Sequence, residues 1–244
     1  MTGYPVTGSG SDVRLPPPDH HRDVAGGSLR PALFGAMDGL VSNASLVAGV
    51  GGAGASGHTV LLTGLAGLVA GAFSMAAGEY TSVRAQREAT FAQVAMEKLE
   101  LRRSPRSEHA ELSLAYQERG LERQLADEVA RQLMRQPDTA LRVHTQEELG
   151  VDIDRLPSPW VAAGSSLLAF ALGAFVPVLP YAVGARWLWL ALLLAAVALF
   201  GAGALATRLT ARNAWYAGTR QLLMGAAAAA VTYGVGSAVG AGVS

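Results

Sequence analysis

The chain has 244 residues, half of them hydrophobic and only 16% charged, and its 19 basic and 19 acidic side chains cancel. Soluble domains average about 25% charged residues, so this chain is short of the groups that keep a globule in water. The lack of cysteine excludes disulfides, iron–sulfur clusters and thiolate zinc sites, and the lack of a basic excess argues against a nucleic-acid binder.

Residues 1–28 contain Gly, Pro and Asp and no apolar h-region. They are expected to form a disordered cytoplasmic tail without a cleavable signal peptide. Two apolar runs follow, Pro31 to about Ala53 and Val60 to about Glu79, separated by the Gly-rich turn 51–58. Each is long enough to cross a bilayer, which takes about 20 helical residues. Residues 84–157 then hold 12 of the 19 basic and 14 of the 19 acidic side chains. Their pattern predicts helices over about 84–103, 107–119, 121–136 and 139–149, with breaks at Ser104-Pro105 and Gly120. Three more apolar runs complete the chain: Trp160–Gly184, Trp187–Ala206 and about Gln221–Gly240. Pro177 and Pro180 are expected to kink the first of these.

The expected fold is therefore an all-α membrane protein of five transmembrane helices. Residues 29–83 supply helices 1 and 2, and residues 158–244 supply helices 3 to 5. Residues 84–157 form a helical cytoplasmic domain inserted between helices 2 and 3. With the N-terminus in the cytoplasm, Arg186 is the single basic residue on the far side, so positive-inside counting places the C-terminus outside. Small residues at four-residue spacing, Gly35/Gly39, Gly67/Gly71 and Gly236/Gly240, suit close helix packing.

Within the spans, Asp38 lies deep in the first apolar run, where a carboxylate is costly and is read as functional. Met75 and Glu79 are one turn apart on the second, and a thioether with carboxylates along one path suits a divalent transition metal. The bland alternatives are an interfacial carboxylate for Glu79 and core packing for Met75. Asn43 and Ser45 read as helix–helix hydrogen-bonders.

In the charged block, Glu97/Glu100 and Glu108/Glu111 are spaced three apart, which puts each pair on one helix face. His144 and Glu148 are four apart, with Glu147 beside them. Clustered carboxylates plus an imidazole bind divalent metals, although such spacing beside Arg102, Arg103 and Arg106 also describes a salt-bridged solvated face.

The segments Asp38-Gly39-Leu40-Val41-Ser42, 64–71 (Gly-Leu-Ala-Gly-Leu-Val-Ala-Gly), Ser74 to Tyr80, Gln86-Arg87-Glu88, Glu108 to Leu112 and Glu147 to Gly150 together resemble the vacuolar iron transporter family. The resemblance covers nearly the whole chain from Leu29 and includes the five-span count. It implies a homodimer that exports Fe(II) and Mn(II) from the cytosol in exchange for protons, with Asp38 and Met75 touching the metal in a path between subunits. It further implies that Glu97, Glu100, Glu108, Glu111 and Glu148 gather metal in the cytoplasm. The short Ala/Gly/Arg-rich chain, with no recognisable vacuolar sorting signal, is expected in a bacterial cell membrane. Two departures are His144-Thr145 where the family often has a Met-Met pair, and Pro31 in place of an acid before the first span. The first exchanges soft sulfurs for an imidazole and adds Zn(II) as a candidate for the cytoplasmic site.

No permanently bound cofactor and no enzymatic activity are expected. A carboxylate di-iron oxidase would carry Glu-x-x-His motifs, and no Glu in the chain precedes a His by three positions. No Ser/His pair is placed within the spans as a hydrolase would need. The remaining alternative is a membrane-anchored protein whose charged domain binds metal or a partner without transport.

Overall fold

The structure, a computed structural model, describes residues 28–210 and 213–243, and the side chains of 208–210 and 243 are left aside. The tail 1–27 lies outside the described residues. Those residues form eight α-helices and no strand: α1 (Leu29–Gly52), α2 (Gly57–Arg103), α3 (Pro105–Glu118), α4 (Arg123–Leu133), α5 (Pro137–Glu148), α6 (Pro159–Ala182), α7 (Leu188–Thr210) and α8 (Ala214–Val243). A 3-10 turn at Ile153–Arg155 links α5 to α6. Five of these helices, α1, α2, α6, α7 and α8, are long and apolar enough to cross a membrane.

Local sequence explains several boundaries. The Ser56 hydroxyl caps α2 by accepting from the Thr59 backbone N–H at 3.2 Å. Proline opens α3, α5 and α6, where its missing N–H costs nothing. Gly150, at φ +64°, ends the α5 segment in a backbone region that other residues rarely adopt.

Two differences from the expected elements stand out. The second span and the first charged helix are one continuous 47-residue helix, so residues 83 and 84 are joined without a break. The polar segment before the last span is mostly helical, because α8 begins at Ala214 rather than near Gln221. The third span is the helix expected, with Pro177 and Pro180 inside it.

α1 occupies the centre, packed on α6, α8, α2 and α7. Its glycines allow this. A Cβ on Gly39 would collide with the Phe170 carbonyl oxygen, and one on Gly173 of α6 would collide with the Ala36 carbonyl oxygen. Further along α1, Gly236 of α8 sits against the Gly49 carbonyl oxygen. Backbone-to-backbone approach of this kind lets helices associate in lipid, where burial of apolar surface gives no drive. Val47, Val60, Val178, Tyr181 and Ala191 fill the junction of α1, α2, α6 and α7. Asn43 ties three helices together: its side-chain amide donates to the carbonyl oxygens of Gly64 at 3.1 Å and Ala174 at 2.6 Å. The Ser45 hydroxyl, by contrast, is buried without a hydrogen-bond partner. Phe73 and Leu172 are 66% and 73% exposed, which suits a surface facing lipid or another chain rather than water.

Candidate metal sites in the span and beyond it

The first site lies between α1 and α2. A cavity of about 360 Å³ is lined by Asp38, Ser42 and Asn43 from α1 and by Ser74, Met75 and Glu79 from α2. Thus the three side chains singled out in the spans share one cavity. The lining also includes Ser42, whose hydroxyl donates to Asp38 Oδ1 at 2.9 Å. Its i+4 position after Asp38 was the sequence signal for that contact. Gly67, Gly71 and Gly78 keep the α2 wall low, and Phe170 of α6 closes the back. Asp38 and Ser42 are exposed on the single chain, so the cavity opens sideways.

The second site lies beyond the span. The 18 residues from Glu79 to Glu97 carry the same helix about 27 Å further. There Glu97 of α2, Glu108 of α3, and His144 and Glu148 of α5 each offer a ligand atom, all within 4.8 Å of one another. His144 Nδ1 lies 3.3 Å from Glu97 Oε1, 3.4 Å from Glu148 Oε1 and 3.6 Å from Glu108 Oε2. One imidazole nitrogen cannot satisfy three carboxylates, and Glu97 Oε1 is buried without a hydrogen-bond partner. Donors around one ion at about 2.1 Å are at most about 4.2 Å apart, so a contraction of a few tenths of an ångström would seat a divalent cation.

The electrostatics favour a cation. Glu97 is 4% exposed, and burial, followed by the charges of Glu148 and Glu108, pushes its carboxyl up to about 7. Glu108 is raised as well, first by burial and then by Glu111, Glu148 and Glu100. Desolvated acids crowded together hold protons until something more positive displaces them.

The other predicted acids stand apart. Glu100 and Glu111 are exposed and act on the buried pair through their charge, and Glu111 accepts a hydrogen bond from Ser107 at 3.2 Å. Glu147 faces away and pairs with Arg119. Thr145, beside His144, is fully buried and donates to the carbonyl oxygens of Leu141 and Arg142 in its own helix.

Residues 29–237 match the model of the VIT family. A vacuolar iron transporter of Acanthamoeba castellanii is 38% identical over 89% of this chain and 82% of its own length. Vacuolar iron transporter homolog 1 of Oryza sativa subsp. japonica is 37% identical over 85% of this chain and 72% of its own. Vacuolar iron transporter 1 of Arabidopsis thaliana is 32% identical over 67% of this chain and 66% of its own. These relatives are named as transporters and not as enzymes. With five membrane-crossing helices and a match over nearly its whole length, the chain is an integral membrane protein that belongs to the VIT family.

Proposed function

We propose that this protein transports divalent metal, exporting Fe(II) and/or Mn(II) from the cytosol in exchange for protons. The observation that carries the reading is the placement of two donor sets on one helix. α2 contributes Met75 and Glu79 to the cavity that holds Asp38, and further on it contributes Glu97 to the carboxylate–imidazole cluster. Positive-inside counting puts the cluster in the cytoplasm, where it would collect metal or sense its level, with Zn(II) as a further ligand of the imidazole-containing set. Carboxylates suit the exchange because each can hold either a proton or a share of a cation. A homodimer is part of the proposal: Asp38 and Ser42 are exposed on the single chain, and a second copy would close the open side of the cavity.

Proteoliposomes test this directly. Fe(II) or Mn(II) should move across the membrane when an opposing proton gradient is imposed, with acidification on the side the metal leaves. Metal binding without movement under any gradient would leave a membrane-anchored metal-binding protein as the correct reading.

A further inference from the structure

The Gln86-Arg87-Glu88 segment lies on α2 between the membrane cavity and the carboxylate cluster and belongs to neither. Val83, Gln86, Arg87 and Thr90 instead form one wall of a separate cavity of about 510 Å³. Its other wall is Gln146 and the linker 150–157 that leads from α5 into α6. Arg87 is half-buried, its Nη1 donates to the Pro157 carbonyl oxygen at 3.2 Å, and its guanidinium lies 5.6 Å from the centre of the Phe91 ring. Among the described residues no carboxylate pairs with it. Its neighbour Arg84 differs, being held by Glu88 at 2.8 Å. The one acid on the lining, Asp152, is engaged by Arg155 at 3.5 Å. Two guanidiniums against one carboxylate leave the lining with one net positive charge. A partly desolvated cation without a counter-ion is costly, and an anion seated beside it offsets that cost.

The depth of the cavity says which anion. Tyr80 packs on Trp160 with ring centres 4.7 Å apart, an aromatic pair of the kind found at a membrane–water boundary. Along the helix, Val83 stands about 4–5 Å and Arg87 about 10 Å beyond Tyr80. The headgroup layer extends about 5–7 Å outside the hydrocarbon on each side, and helical side chains lean toward the N-terminus, here back toward the membrane. We infer that this cavity seats the phosphate group of an anionic membrane lipid, with Arg87 as its principal contact and Arg155, Gln86 and Gln146 as further donors. The inference needs only that α2 crosses a bilayer and is independent of the transport reading.

The test uses the full chain in detergent, titrated with phosphatidylglycerol, phosphatidylcholine and soluble glycerol 3-phosphate, with bound lipid counted by native mass spectrometry. Phosphatidylglycerol should bind more tightly than phosphatidylcholine. Arg87→Gln and Arg155→Gln should each weaken it about fivefold, the factor one arginine contributes near an anionic surface. Arg135→Gln, away from this cavity, should leave it unchanged. Arg87→Gln also removes the bond to Pro157 and can disturb the linker, so the exposed Arg155 provides the second, structurally mild variant. Equal binding of the two lipids, or undiminished phosphatidylglycerol binding by both variants, overturns the assignment. Soluble glycerol 3-phosphate binding as tightly as phosphatidylglycerol overturns the lipid as its source.

Discussion

Asp38, in the cavity between α1 and α2, is exposed on the single chain and accepts a hydrogen bond from Ser42, whereas Glu97, beyond the span, is 4% exposed and faces an imidazole and two carboxylates. The first arrangement is open, with donors spread over two helices around about 360 Å³. The second is mostly buried, with Glu148 at its exposed rim, and is short of counter-charge. A path must release what it binds, which suits widely spaced donors, while a site that retains or senses metal gains from converged ones. Under the proposed function, the same residue types would serve different uses according to their degree of enclosure.

That contrast can be broken experimentally, most sharply at Asp38. Asp38→Ala should reduce metal transport in proteoliposomes by about a hundredfold or more, since it removes an intramembrane carboxylate from the path. Metal binding by the cluster, measured calorimetrically on the same variant, should be unchanged. Transport that survives the substitution would move the path away from this cavity. The reciprocal change, Glu97→Gln with Glu108→Gln, should weaken metal binding by the cluster at least about tenfold while transport at saturating metal persists. Loss of both activities together would mean that the two sites are one functional unit.

A third effect concerns pH. Because Glu97 titrates near 7 when folded and near its ordinary value of 4.5 when unfolded, the folded chain keeps a proton that the unfolded chain has given up between those values. Stability of the metal-free protein should therefore fall as pH rises from about 5 to 7.5, with Glu108 acting in the same direction. Apparent metal affinity should rise across that window, since metal and proton compete. In thermal unfolding followed at several pH values, Glu97→Gln should flatten the slope, and an undiminished slope would assign the titration elsewhere.

The smallest expected effect is at Asn43, whose two hydrogen bonds hold α2 and α6 against α1. Asn43→Ala should cost about 1–2 kcal/mol in unfolding measured in detergent, in line with hydrogen bonds between membrane helices. A neutral result would leave the glycine contacts to hold the three helices together.

Five apolar runs and two intramembrane acids were legible in the residues alone, because membrane crossing is a matter of length and composition and a buried charge breaks that pattern visibly. Sharing of one cavity by Asp38, Met75 and Glu79 was legible only in part: spacing put Met75 and Glu79 on one face, but nothing local said that this face meets Asp38. In the charged block, spacing nominated seven acids and imidazoles, and tertiary packing converged four of them. Residues three apart share a face yet point some 60° from one another, and the rotation of each helix about its axis is set by its neighbours. That rotation brings Glu97 and Glu108 inward and leaves Glu100 and Glu111 at the rim, while Glu147 turns to Arg119. Sequence by itself therefore determined that the chain crosses a membrane and which side chains could hold metal. Which of them converge was decided by the packing of α2, α3 and α5, since only a contact between distant segments can bury a carboxylate beside an imidazole.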